Sequence, residues 1–212
     1  FARRVARLAP GRARRLQQRA AARGATQASA LLTAYAAARL PVEGAFDEHA
    51  SDLVASMLAA GLDQNALRWL PRAPSGSLAW AQLVLAAPQG QTVSGGALDD
   101  FYDADESDGH RKSRFLLAGL AGLGRVDQNA SRDFAAKLGI DPGRQTRWST
   151  LIDQAAAVDN KALVVLLAGA GMQGNGWDKM TSVNLFHIVS ALNRVGLSAE
   201  ARMIAAEAVA RG

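Results

Sequence analysis

Apolar residues recur three and four positions apart through Leu185, Ile188, Val189, Leu192 and Val195, the spacing that lines one face of a helix. Gly196 and Leu197 follow, and then a second stripe of Ala201, Ile204, Ala205 and Ala208, with Ser198 as its candidate N-cap. Glycine closes a helix by taking the left-handed conformation, and the apolar residue after it packs back on the last turn. The stretch from Leu185 to Arg211 therefore predicts an αα-hairpin with a minimal corner.

That corner recurs. Met57 to Ala60 runs into Gly61-Leu62-Asp63, and Leu120 to Leu123 runs into Gly124-Arg125-Val126-Asp127. Asp63-Gln64-Asn65-Ala66 and Asp127-Gln128-Asn129-Ala130 match residue for residue, each opening on a candidate capping Asp. A looser copy runs from Leu166 to Met172. One helix pair cannot bury its apolar face alone, so repeated hairpins are expected to stack.

The remaining pattern is also helical. Ala28 to Leu40 reads as a helix stopped by Pro41, and Asp47 as the cap of the helix that reaches Gly61. Asp63 to Leu70 is its short partner. Leu78 to Ala87, Arg111 to Leu123, Asp127 to Leu138, Trp148 to Val158 and Lys161 to Ala168 continue the series, with Trp69 and Trp80 as core residues. The expected fold is all-α: about a dozen helices, with αα-hairpin repeats stacked as a right-handed superhelix or solenoid. Its parts are a basic arm or helix over 1–24, a first hairpin block over 25–88, a Gly-rich then acidic loop over 89–110, and a second block over 111–212.

Composition supports helices over sheets. Of 212 residues, 49% are hydrophobic but only 6% aromatic, so the core is built from Ala, Leu and Val, with too few β-branched and aromatic residues for a sheet-rich fold. The absence of cysteine excludes disulfides and thiolate sites. The longest apolar runs fall short of the roughly 20 residues of a membrane-spanning helix. The first residue is Phe1, and a fragment or processed form is expected.

Charge is uneven. The net charge is +5, yet nine arginines and no acid occur up to Arg39, so all 19 acids lie after it. Arg12, Arg15, Arg19 and Arg23 recur at helical spacing and form either a solvated face or a contact surface for nucleic acid or an anionic surface. Asp99, Asp100, Asp103 and Asp105 make the opposite patch. Together these eight residues are the candidate interaction surface, the two patches being complementary.

Two resemblances attach to particular residues. Asp99-Asp100-Phe101-Tyr102-Asp103 resembles the DDxxD motif of isoprenoid synthases, which implies a helical, magnesium-dependent diphosphate enzyme; the second acidic motif such enzymes carry has no counterpart downstream. The hairpin pattern as a whole is similar to tetratricopeptide-like superhelices, although the interval is not the family's ~34 residues. That likeness implies a non-catalytic scaffold binding a peptide or protein partner.

Other motifs fail on spacing. Asp103 to Arg114 starts like an EF-hand loop, but Asp108 stands where its glycine belongs and Arg114 where its last acid belongs. Gly169-Ala170-Gly171-Met172-Gln173-Gly174 fits G-x-G-x-x-G without the strand-and-helix context of a dinucleotide site and is read as a Gly-rich corner. His49, His110 and His187 have no metal-ligand spacing. No catalytic, metal or cofactor residue is therefore assigned.

Overall fold

The computed structural model describes residues 33–141, 143–173 and 177–212. Residues 33–37 are helical. After them come α1 (Ala50–Ala59), α2 (Asp63–Leu67), α3 (Leu78–Ala86), α4 (Gly95–Asp103), α5 (Arg111–Gly122), α6 (Gln128–Lys137), α7 (Arg147–Ala157), α8 (Lys161–Gly171), α9 (Ser182–Arg194) and α10 (Ser198–Arg211). Among the described residues no strand forms, and a single bridge joins Val93 to Val126. The fold is all-α. Arg12, Arg15, Arg19 and Arg23 lie outside the described residues.

The corners take the expected form. Gly61, Gly124 and Gly196 have φ of 70°, 69° and 80°. At each, the glycine N–H and the next N–H bond back to the last turn: Leu62 N to Met57 O at 2.9 Å, Arg125 N to Leu120 O at 2.8 Å, Leu197 N to Leu192 O at 2.9 Å. These bonds satisfy carbonyls that a helix end leaves orphaned. Two further corners share the geometry, at Gly139 (φ 63°) and at Asp159 (φ 53°), where Asp tolerates the left-handed region less well than glycine. An added methyl group would meet nothing within 4 Å at Gly61 or Gly124, so Gly→Ala there probes backbone strain alone. Each substitution is expected to destabilise by roughly 1 kcal/mol in urea titration; a neutral set would show that these corners tolerate a side chain.

Several local expectations need correction. Gly169 and Gly171 lie inside α8, not in a corner; a Cβ on Gly171 would come within 2.5 Å of the Trp148 ring, so this glycine makes room for an indole. Asp63 and Ser198 are each the first residue of their helix, with Leu62 and Leu197 at the N-cap. Asp47 sits in a 3-10 turn (Gly44–His49) and pairs with Arg72 at 2.5 Å. Most importantly, the stretch over 89–110 is not a loop throughout. Ser94 caps α4 through Ala97 N, and Leu98 and Phe101 bury themselves in the core, which turns the aspartates outward.

The helices pack around α10 and α5. α10 touches α1, α3, α5 and α9, so the last helix lies against α1, more than 130 positions earlier in the chain. In a one-dimensional stack each repeat touches its neighbours alone; these contacts close on themselves. Small residues allow the crossings: Cβ atoms on Gly119 and Gly122 would press to 2.8 Å on Leu85 of α3 and Val189 of α9. Trp69, Phe115, Leu120, Ile152, Leu185 and Ile188 fill the interior between them.

Two arginines finish α3. Pro88 stops this helix, and its last carbonyls turn inward. Arg125 Nη1 donates to Val84 O at 2.7 Å and Leu85 O at 3.0 Å, Arg125 Nη2 to Ala87 O at 2.6 Å, and Arg202 Nη1 to Ala86 O at 3.0 Å. Both guanidinium groups are buried, and the negative end of the helix dipole offsets their charge. Burial lowers the pKa of Arg125, and the charge of Arg202 lowers it further.

Candidate functional site

The acidic patch is smaller than its sequence. Asp99, Asp100 and Asp103 stand on the exposed side of α4. Asp99 binds Lys137 of α6 at 2.7 Å, and Asp100 lies 3.5 Å from the Ser75 hydroxyl. The Lys137 ammonium also sits 4.1 Å from the Tyr102 ring centroid, while His110, at φ 51°, stacks on the same ring at 4.0 Å. The Asp99 carboxylate raises the Lys137 pKa above its ordinary 10.5. Asp105 is not part of this surface. It turns inward and accepts from the backbone and hydroxyl groups of both Ser107 and Ser113. Among the described residues no three His, Asp or Glu side chains come together as a metal site.

His187 is a packed histidine. Its Nδ1 lies 2.9 Å from Asp153 on α7, and its Nε2 is buried with no hydrogen-bond partner among the described residues.

A different surface stands out on the α7–α8 hairpin. α8 is apolar nearly all round, a composition that normally belongs to a helix buried on every side. Here it packs on α7 and α9 and buries only Val164 and Ala168. Ala162, Val165, Leu166, Gly169 and Ala170 remain in solvent, with Leu166 70% and Val165 51% exposed. Their spacing is i, i+3, i+4, i+7 and i+8, a second stripe on the opposite side of the same helix. On the adjoining α7 Leu151 is 44% exposed, and Val158 at its C-cap is 75% exposed. Scattered exposed apolar residues are ordinary, but a periodic stripe is the pattern of a docking face.

The second feature is a groove of 340 Å³ walled by α1, α3 and α10. Leu58, Met172, Trp177, Met203 and Ile204 make it apolar, and Gln82 and Glu207 are its polar side chains. Trp177 is held by an edge contact to Phe115 and by its carbonyl, which accepts from Arg111 at 3.3 Å. Burial raises the Glu207 carboxyl above its ordinary 4.5, opposed by its ion pair with Arg211.

Sequence reasoning found the acidic residues and missed both apolar surfaces. The signal for the α8 face was present in the unbroken apolar run from Ala162 to Ala168. No periodicity could announce the groove, whose walls are far apart in the chain. Comparisons with protein families, curated proteins and solved structures found no match to this chain. The fold is all-α, and among the described residues no element covers the outer face of α8. Among the described residues no helix is long and apolar enough to cross a membrane.

Proposed function

We propose that this protein is a non-catalytic interaction module that docks a helix of a protein partner on the outer face of α8. The supporting observation is the exposed stripe of Ala162, Val165, Leu166, Gly169 and Ala170. A helix presenting apolar residues at the same spacing meets this stripe along its length. Nothing lies within 4 Å of a Cβ placed on Gly169, so a facing backbone can approach closely there. Burying what remains exposed of Val165 and Leu166, 51% and 70%, is worth about 1–2 kcal/mol each. This is the scaffold reading in a specific form: the partner binds a helical-hairpin surface.

The test is selection of helical peptides from a displayed library, followed by titration against Leu166→Glu and Val165→Glu. Both residues are exposed, so the variants should keep the wild-type circular dichroism and melting temperature. Selected peptides should be amphipathic and should lose at least tenfold in affinity on either variant. Equal affinity for wild type and both variants would rule out the α8 face.

A further inference from the structure

The groove between α1, α3 and α10 is independent of the α8 face and carries its own chemistry. Gln82 is 1% exposed, and its buried Oε1 has no hydrogen-bond donor among the described residues. A buried amide oxygen without a donor loses the bonds it made to water, a penalty proteins seldom tolerate without a use. Every other side chain that gives the groove its walls is hydrocarbon, thioether, indole or, in Glu207, a carboxylate already paired with Arg211. Methionine adapts its shape to irregular ligands, and Met172 and Met203 both face this space. The terminal torsion of glutamine is soft, so a small turn brings Oε1 to a donor placed in the groove.

We propose that the groove is a binding site for a compact, neutral, mainly hydrocarbon molecule carrying one hydrogen-bond donor, which it gives to Gln82. The volume is within the range of small-molecule pockets, and the site has the usual composition of an apolar cleft with a single orienting polar group. Ligands of equal shape that lack the donor leave Oε1 unpaired and bind more weakly, because a site built around a polar contact rejects the analogue without it.

N-phenyl-1-naphthylamine, which has one N–H on an aromatic hydrocarbon body, is the probe. 1-Benzylnaphthalene, with CH₂ in place of that N–H, is its shape-matched control. Isothermal titration of the intact chain should show at least tenfold tighter binding of the amine. Gln82→Leu should bind both compounds alike, and it should fold at least as stably as wild type because it removes an unpaired buried oxygen. Ile204→Glu should weaken both compounds, whereas Leu166→Glu on α8 should weaken neither. Equal affinity of wild type for the two compounds would overturn the proposal and leave a bound water as the partner of Gln82. Binding abolished by Leu166→Glu and retained by Ile204→Glu would also overturn it, placing the ligand on the α8 face.

Discussion

Replacing Arg125 with Met is expected to lower unfolding stability by roughly 3–4 kcal/mol: three hydrogen bonds from a charged donor, worth about 1.5–3 kcal/mol each, are lost together, and release from the cost of burying the guanidinium charge and its repulsion from Arg202 returns part of that sum. The carbonyls of Val84, Leu85 and Ala87 would be left at a buried helix end with Pro88 directly after them. For a chain of this length the melting temperature should fall by roughly 6–15 °C. Arg125→Lys should recover only part, since a single ammonium cannot span three carbonyls. Arg202 provides an internal check. Two buried like charges repel, and either single replacement relieves that repulsion. The double replacement gains the relief only once. Its loss should therefore exceed the sum of the two single losses. A double variant that loses less than that sum would mean that the two arginines act as one cap and that their repulsion is not felt.

Arg125 also shows why some of the structure was legible in the sequence and some was not. At the corners of Gly61, Gly139 and Gly196 the residue after the glycine is Leu62, Ile140 or Leu197, the apolar group that packs on the preceding turn. At Gly124 it is an arginine. The corner itself is a local matter of one φ angle and two hydrogen bonds, and so the sequence foretells it. What Arg125 does is not local: its carbonyl partners lie about 40 positions earlier. Gly90 belongs to the same arrangement, since a Cβ there would overlap the Arg125 guanidinium.

The same distinction explains α10 and α8. Periodicity shows that each helix has an apolar face without saying which helix covers it. α10 has small residues on more than one side, with Ala201, Ala205, Ala206 and Ala208 all buried, and this lets it lie between α1, α3, α5 and α9 where a stacked hairpin would leave one side open. α8 is its counterpart, with apolar residues nearly all round but, among the described residues, neighbours on only part of its circumference. Among the acids, Leu98, Phe101 and Tyr102 already had helical spacing. Reading 89–110 as a Gly-rich then acidic loop hid that α4 carries Asp99, Asp100 and Asp103 outward, while Asp105 lies beyond its end.

Asp105→Ala is the second large effect expected, a loss of roughly 3 kcal/mol, because this carboxylate holds the start of α5 from outside the helix. Ser113 N is an orphan donor of the first turn of α5 and gives its hydrogen to Asp105 Oδ2 at 2.8 Å; the Ser113 hydroxyl bonds the same oxygen at 2.6 Å. Ser107 gives its N–H at 2.9 Å and its hydroxyl at 2.5 Å to Oδ1, and its own oxygen accepts from Lys112 N at 3.1 Å. A negative charge placed here also meets the positive end of the α5 dipole. Burial pushes the Asp105 pKa up, but the hydrogen bonds from Ser107 and Ser113 outweigh it and hold the carboxyl below its ordinary 3.8. A folded-state pKa below the unfolded value means that this stabilisation is present above pH 3.8 and is lost as the pH falls through the folded value. Asp105→Asn keeps the shape but not the charge. Its deficit against wild type, followed by urea titration, should therefore be full at pH 7 and shrink steadily once the pH drops below the ordinary carboxylate range. A deficit that stays constant from pH 7 into that acid range would show that the geometry of the side chain, and not its charge, holds α5 in place.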